Sequence, residues 1–311
     1  MASNDYSMDT LISNITLTGH VPTGNVTFTP ENLATLADRE MSTPILKQIL
    51  SSRGGYYMTN VTLPASQTGL YPIPSDCIAG SLYNVELIQN VTVIQVQPIE
   101  ISEQYSTNTP NATTYGYYMV GNNVQILPTP PVGNTRLWYY KRPSQLVLNS
   151  DCCYINSVDI TGTILTVNSI PQNIFNNSYV DIVGDQPPFN VIGTQTIINI
   201  AGMVITLDAA PVVPIQVGNY VALNQQTCIP PIPVEFRILL EQRTICSIYE
   251  IQKNKDGLAI AQKKLKELEE DTLGLITNRV KSKAAVINVS NGGFLSSRNS
   301  RGVLYQASKD Q

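Results

Sequence analysis

The sequence predicts an α+β protein: an N-terminal helical segment, a large antiparallel β zone with a small barrel or sandwich insertion, then a C-terminal helical hairpin and an extended arm. Three observations carry this prediction. Helix signals are confined to the two ends of the chain. Everything from about 56 to 228 consists of short β-branched and aromatic runs between Pro, Gly and Asn turns. Charge is scarce, 14% of residues against about 25% in an ordinary soluble domain, so the surface is polar but largely uncharged.

The elements follow in five parts. Residues 1–55 hold a helix start in "TPENLATLADREMSTPILKQILSSRGGYY". Thr29 is the N-cap, Pro30 the first helical residue and Glu31 an acid in the first turn. Leu33, Leu36, Ala37 and Met41 keep helical spacing. Pro44 is expected to break or kink the helix before Ile45, Leu46 and Ile49 resume the stripe. Residues 56–150 read as a β core with runs such as "YYMTNVTL", "LYNVELI" and "RLWYYKR". In the last of these, alternation sends Leu137 and Tyr139 to one face and Trp138 and Tyr140 to the other. Arg136, Lys141 and Arg142 stand at the ends. Aromatic and basic residues together can stack nucleobases, but large side chains on both faces favour a strand held between layers.

Residues 151–228 contain an internal echo. "GTILTVNSIPQNIFNNSYVDIV" matches "GMVITLDAAPVVPIQVGNYVAL" with one residue of offset, which predicts two similar β units closing on each other. Residues 229–280 open with Pro230, Pro231 and Pro233. Two helices follow, about 233–252 and 257–278, separated by "NKDG". Leu258, Ala261, Leu265, Leu268 and Leu275 form a heptad stripe on the second. Eighteen of the forty-two charged residues fall between Glu235 and Lys283, as expected of a helical hairpin with solvated outer faces. Residues 281–311 are Ser-, Asn- and Gly-rich and basic, a composition that does not build a core of its own.

Charge is placed unevenly. Between Arg142 and Arg237 there is no Lys or Arg, and the ionisable residues before Glu235 are Asp151, Asp159, Asp181, Asp185 and Asp208. Such a stretch repels a nucleic-acid backbone. From Arg279 to Lys309 the charges are all positive.

Chemistry is not signalled. His20, the single histidine, stands in a Gly/Pro-rich hinge without a nucleophile elbow nearby. Glu269, Glu270 and Asp271 sit together on an exposed helix face and read as solvated charges. There is no Walker loop or dinucleotide fingerprint. The five cysteines lack metal-ligand spacing and read as buried thiols in a reducing compartment. No apolar run is long enough to cross a bilayer, and the start lacks a secretory leader. The expectation is a soluble non-enzyme without catalytic, cofactor or metal residues, made in a cytosol.

The ordered combination "SRGGYYMTNVTL", "LYPIPSDCIAGSLYNVEL", "YMVGNNVQILPTPPVGNTRLWYYKRPSQLVL" and "IPPIPVEFRILLEQRTICSIYEIQKNKDGLAIAQKKLKELEEDTLGLITNRV" resembles the head-to-tail connector (adaptor, head-completion) proteins of tailed bacteriophages. The resemblance implies a virion structural protein at the head–tail junction, synthesised in the bacterial host cytoplasm. It implies a homo-oligomeric ring of about twelve subunits that docks on the portal, lengthens the DNA channel and receives a downstream tail protein. Contact with packaged DNA would be transient at most, with no membrane partner. The hairpin residues Phe236, Leu239, Leu240, Leu258, Leu265 and Leu268 would form the ring. In the arm, Arg279, Lys281, Lys283, Phe294, Leu295, Arg298 and Arg301 would dock on the portal. The large β zone departs from the compact helical connectors and also suits another phage component, such as a tail-tube, decoration or fibre-type protein.

Overall fold

The computed structural model describes residues 6–21, 26–52, 54–103, 115–130, 133–187 and 189–276. Helix α1 (Met8–Thr18) is capped by Ser7, whose hydroxyl accepts the Thr10 N–H, and it buries Met8, Leu11 and Ile15. Helix α2 (Pro30–Glu40) starts where the sequence places it, with Thr29 Oγ1 accepting from Asn32 N at 3.3 Å. Pro44 does not break the path. The backbone widens into a π turn over Met41–Ile45 and continues into α3 (Leu46–Ser52). A wider turn absorbs the missing N–H and the bulk of the ring, and Leu46 N reaches back to the Met41 carbonyl. Met41, Ile45, Leu46 and Ile49 therefore stay on one buried stripe.

Seven strands follow in one sheet. They are β1 (Met58–Pro64), β2 (Leu70–Pro72), β3 (Cys77–Gln89), β4 (Thr92–Pro98), β5 (Gly116–Val120), β6 (Asn123–Leu127) and β7 (Asn134–Lys141). Their order is β1-β7-β3-β4-β5-β6-β2, antiparallel except for the short β4–β5 pairing. The two edge strands β1 and β2 are consecutive in the chain. Laid flat, seven strands would put those edges about 29 Å apart, whereas the connection from Pro64 to Leu70 spans at most about 21 Å. The sheet must therefore roll. Its inner face gathers Tyr71, Val85, Leu87, Val96, Val124, Ile126, Leu137 and Tyr139 into one core.

After β8 (Gln145–Leu146) the chain enters a closed six-stranded barrel. Its strands are β9 (Cys153–Val158), β10 (Ile164–Val167), β11 (Tyr179–Val183), β12 (Val191–Ala201), β13 (Val204–Leu207) and β14 (Tyr220–Leu223), in the circular order β10-β13-β12-β11-β14-β9. The sequence echo is a pseudo-twofold. Equivalent strands of the two units pair antiparallel with each other, Leu165 opposite Ile205 and Ile182 opposite Val221. Neither unit has a complete hydrogen-bonding neighbourhood alone; each closes the other, which removes the open edges. Cys153, Ile155, Leu165, Val180, Ile182, Ile197, Ile205 and Val221 fill the interior. The chain leaves through β15 (Gln226–Thr227), which pairs parallel with β8, so the entering and leaving strands share one neck. The Leu146 N–H of that neck donates to Asp38 Oδ1 of α2 at 2.8 Å. Burial pushes the Asp38 carboxyl upward, and this hydrogen bond opposes the shift.

Helices α4 (Arg237–Gln252) and α5 (Lys255–Ile276) complete the helical part. The turn between them is shorter than "NKDG". Lys253 takes the left-handed conformation, φ 56°, and Asn254 Oδ1 accepts from Gly257 N at 3.0 Å as the cap of α5. Helix α4 is buried on several sides because it packs against α1, α2 and α5 at once.

Candidate assembly surfaces

Among the described residues no cluster of His, Cys, Asp and Glu is placed to hold a metal ion. Three of the five insertion aspartates hold turns and strands together. Asp159 accepts the N–H groups of Thr161, Thr163 and Ile164. Asp208 Oδ1 accepts from Thr196 N, and Asn168 Oδ1 plays the matching part in the other unit by accepting from Tyr154 N. Asp181 is buried and accepts from Thr194 Oγ1, Asn224 Nδ2 and Gln225 N. All five cysteines are free and buried, as their sequence context predicts. Burial lifts the Cys153 thiol to about 12 and the Cys246 thiol to about 11. Hydrogen bonding with Cys228, with burial second, raises that of Cys152. Thiols held neutral in this way are not nucleophiles.

The residues assigned to the hairpin divide by burial. Phe236, Leu239 and Leu240 lie in the chain's own helical core with the N-terminal helices, and Leu258, Leu265 and Leu268 pack half-buried against the same core. Ala261 and Thr272 continue the α5 stripe as buried residues; the Leu275 side chain lies outside the description. Each fully buried apolar side chain contributes about 1.5–3 kcal/mol, and here that contribution is made within one chain. The polar residues between them are similarly engaged. Glu269 accepts from Arg243 and from Gln48 Nε2, Ser247 Oγ donates to Glu40, and Gln242 Nε2 donates to the Ala261 carbonyl.

What the hairpin offers a partner is its other side. Ile238, Ile251 and Ile260 are exposed at 59%, 47% and 73%, next to the solvated Lys263, Lys264, Lys266, Glu267 and Glu270. The sequence carried a sign of this: these isoleucines fall off the stripe that packs the core. Arg279, Lys281, Lys283, Phe294, Leu295, Arg298 and Arg301 lie outside the described residues.

The aromatic-cationic strand is structural on one face. Leu137 and Tyr139 enter the sheet core, and Trp138 and Tyr140 stand half-buried on the outer side, where Tyr140 meets Tyr83 edge-on at 6.1 Å. A covering layer was expected there, and the outer face is instead partly open. Arg136 pairs with Glu86 at 3.4 Å and Lys141 with Asp76 at 3.9 Å, which leaves little free charge for stacked bases. A cavity of about 330 Å³ opens at the neck, lined by the ends of β1 and β7 and by the β11–β12 loop of the barrel.

The chain thus joins a helical core, a rolled sheet and a duplicated barrel. The model of the SU10 adaptor protein family matches residues 33–172, from α2 through the rolled sheet to just past β10. This match bears out the resemblance to phage head–tail adaptor proteins read from the sequence. No curated protein matches the chain. Among the described residues no helix is long and apolar enough to cross a membrane.

Proposed function

We propose that this chain is a structural virion protein that closes a ring of about twelve copies between the portal and the tail and extends the DNA channel. The observation that carries the reading is the adaptor-family match, which covers the elements that join helical core to β zone. The helical core supplies a rigid body, and the exposed isoleucines of α4 and α5 give one heterologous face that repeats around the ring. Phe236, Leu239, Leu240, Leu258, Leu265 and Leu268 support that face from within.

Portal docking falls to residues 279–301, with Phe294 and Leu295 as apolar anchors and Arg279, Lys281, Lys283, Arg298 and Arg301 as polar contacts. The work is assembly rather than turnover: association is driven by apolar area removed from water, offset by the chain entropy lost on docking. The β zone faces the next tail component. Its scarcity of cations suits a channel wall that does not grip DNA.

The test is the copy number per virion relative to the portal protein, by quantitative mass spectrometry of purified particles. A ratio near one to one supports the ring. Hundreds of copies would move the protein to the capsid surface or tail tube, and absence from the particle would end the structural reading.

A further inference from the structure

We infer that the cavity at the root of the barrel is a docking site for an acidic segment of a partner polypeptide. It goes beyond the ring assignment and does not depend on it. The cavity lies where the chain enters and leaves the barrel. Lys141 and Arg142 line one side, the hydroxyls of Thr59 and Ser144 add polar groups, and Phe189 and Asn190 close it from the barrel. Among the described residues no Asp or Glu lines it. At about 330 Å³ it sits at the small end of the roughly 300–1,000 Å³ range of ligand pockets, enough for one or two side chains.

The charge argument is sharper than the shape. From residue 54 to residue 236 the chain carries only three cations, Arg136, Lys141 and Arg142. Arg136 is paired with Glu86 and Lys141 with Asp76. Among the described residues no carboxylate lies within ion-pair distance of Arg142. Among the described residues the one cation of the β zone without an ion-pair partner is therefore at the cavity, with Thr59, Ser144 and Asn190 also lining it. An arginine in that setting selects a carboxylate. A nucleic-acid backbone needs a row of cations, and the adjoining barrel offers only aspartates, so a polypeptide acid is favoured over DNA.

The test uses the full-length protein and isothermal titration calorimetry with two capped tetrapeptides, Ac-GDEG-NH2 and its neutral counterpart Ac-GNQG-NH2, and with a 20-base-pair duplex. The acidic peptide is expected to bind one to one, more weakly at 300 mM than at 50 mM salt, with no heat from the neutral peptide or the duplex. Arg142→Ala should weaken it about three- to tenfold and Arg142→Lys should restore most of the loss. The exposed position of Arg142 leaves the fold intact, which circular dichroism verifies. Equal binding of the neutral peptide, no binding of either, insensitivity to Arg142→Ala, or a duplex that competes for the site would each overturn the inference.

Discussion

The carboxylate of Asp181 on β11 accepts the backbone N–H of Gln225, 44 residues later, at 2.7 Å. The same group accepts from Thr194 Oγ1 at 2.6 Å and Asn224 Nδ2 at 3.1 Å. One buried acid thus ties β11 to β12 and to the turn that leads out of the barrel. Gln225 itself is in the left-handed region, φ 61°, a conformation a side-chain-bearing residue adopts at a cost. Asp181→Asn turns an acceptor-only group into one that presents N–H to donors. The barrel should lose about 2–3 kcal/mol, read as a lower urea midpoint, and the Gln225 amide should exchange faster. An unchanged midpoint with unchanged exchange would show that the neck is held elsewhere.

Two turn glycines should respond differently to the same methyl group. Gly133 has φ 106°, and a Cβ there would lie 2.4 Å from the Ile88 carbonyl oxygen, in backbone that cannot swing aside. Gly202 has φ 61° and open space around it. Gly202→Ala should cost only the left-handed penalty of about 1 kcal/mol. Gly133→Ala adds the clash and should cost more than about 2 kcal/mol. Thermal midpoints of the two variants measure the difference, and equal shifts would mean that the β6–β7 loop moves freely away from Ile88 of β3.

Gly202 also belongs to the part of the fold that was legible in the sequence. Gly162 and Gly202 begin the two halves of the echo, so the duplicated unit was readable. Equivalent strands are the ones that pair, and a closed barrel follows once two incomplete units must satisfy each other's edges. The order of the seven-stranded sheet was not readable: strand partners are set by long-range packing, and only the short link from Pro64 to Leu70 betrays the roll. Pro44 marks where the regular α path is interrupted, and what the sequence did not foretell is the π turn that accepts the ring and lets the stripe continue. The stripe of α5 was legible as an apolar face, but periodicity alone does not tell an intramolecular face from an intermolecular one. Phe236 and Leu240 lie inside the chain, and the free apolar surface lies at Ile238 and Ile260.

Removing residues 279–311 tests the docking assignment proposed for the arm. Among the described residues the helical core draws on side chains up to Leu268, and the two β cores lie earlier still. The truncated chain should keep its circular dichroism and its urea midpoint to within about 0.5 kcal/mol, while co-sedimentation with portal particles is lost. Retained docking would remove Phe294, Leu295 and the basic residues from the interface.

The five thiols should be silent in the native protein. Cys77, Cys152, Cys153, Cys228 and Cys246 are each less than a tenth exposed, and the raised pKa values of Cys153 and Cys246 leave little thiolate at pH 8. Iodoacetamide at pH 8 should label none of them until urea unfolds the chain, when mass spectrometry should find five adducts. Rapid native labelling of Cys152 or Cys228 would show that the packing under the barrel neck opens.

Asp159 gives the barrel an acid-sensitive turn. Its carboxylate accepts first from the Thr161 hydroxyl and then from the Ile164, Thr161 and Thr163 N–H groups, and these bonds hold its pKa down to about 2. In the unfolded chain the same group titrates near 3.9. A folded-state value below the unfolded one means the stabilising contribution is complete above about pH 4, declines as pH falls, and is gone once both states are protonated near pH 2. Asp159→Asn retains one acceptor oxygen and no titration. The wild-type barrel should therefore melt above the variant at pH 7, and the gap between the two melting temperatures should close between about pH 4 and 2. The residue is partly exposed, so salt should narrow the gap at neutral pH as well. A gap that stays constant from pH 7 to 2 would mean that the shape of the turn, and not the charge on Asp159, holds the β9–β10 hairpin.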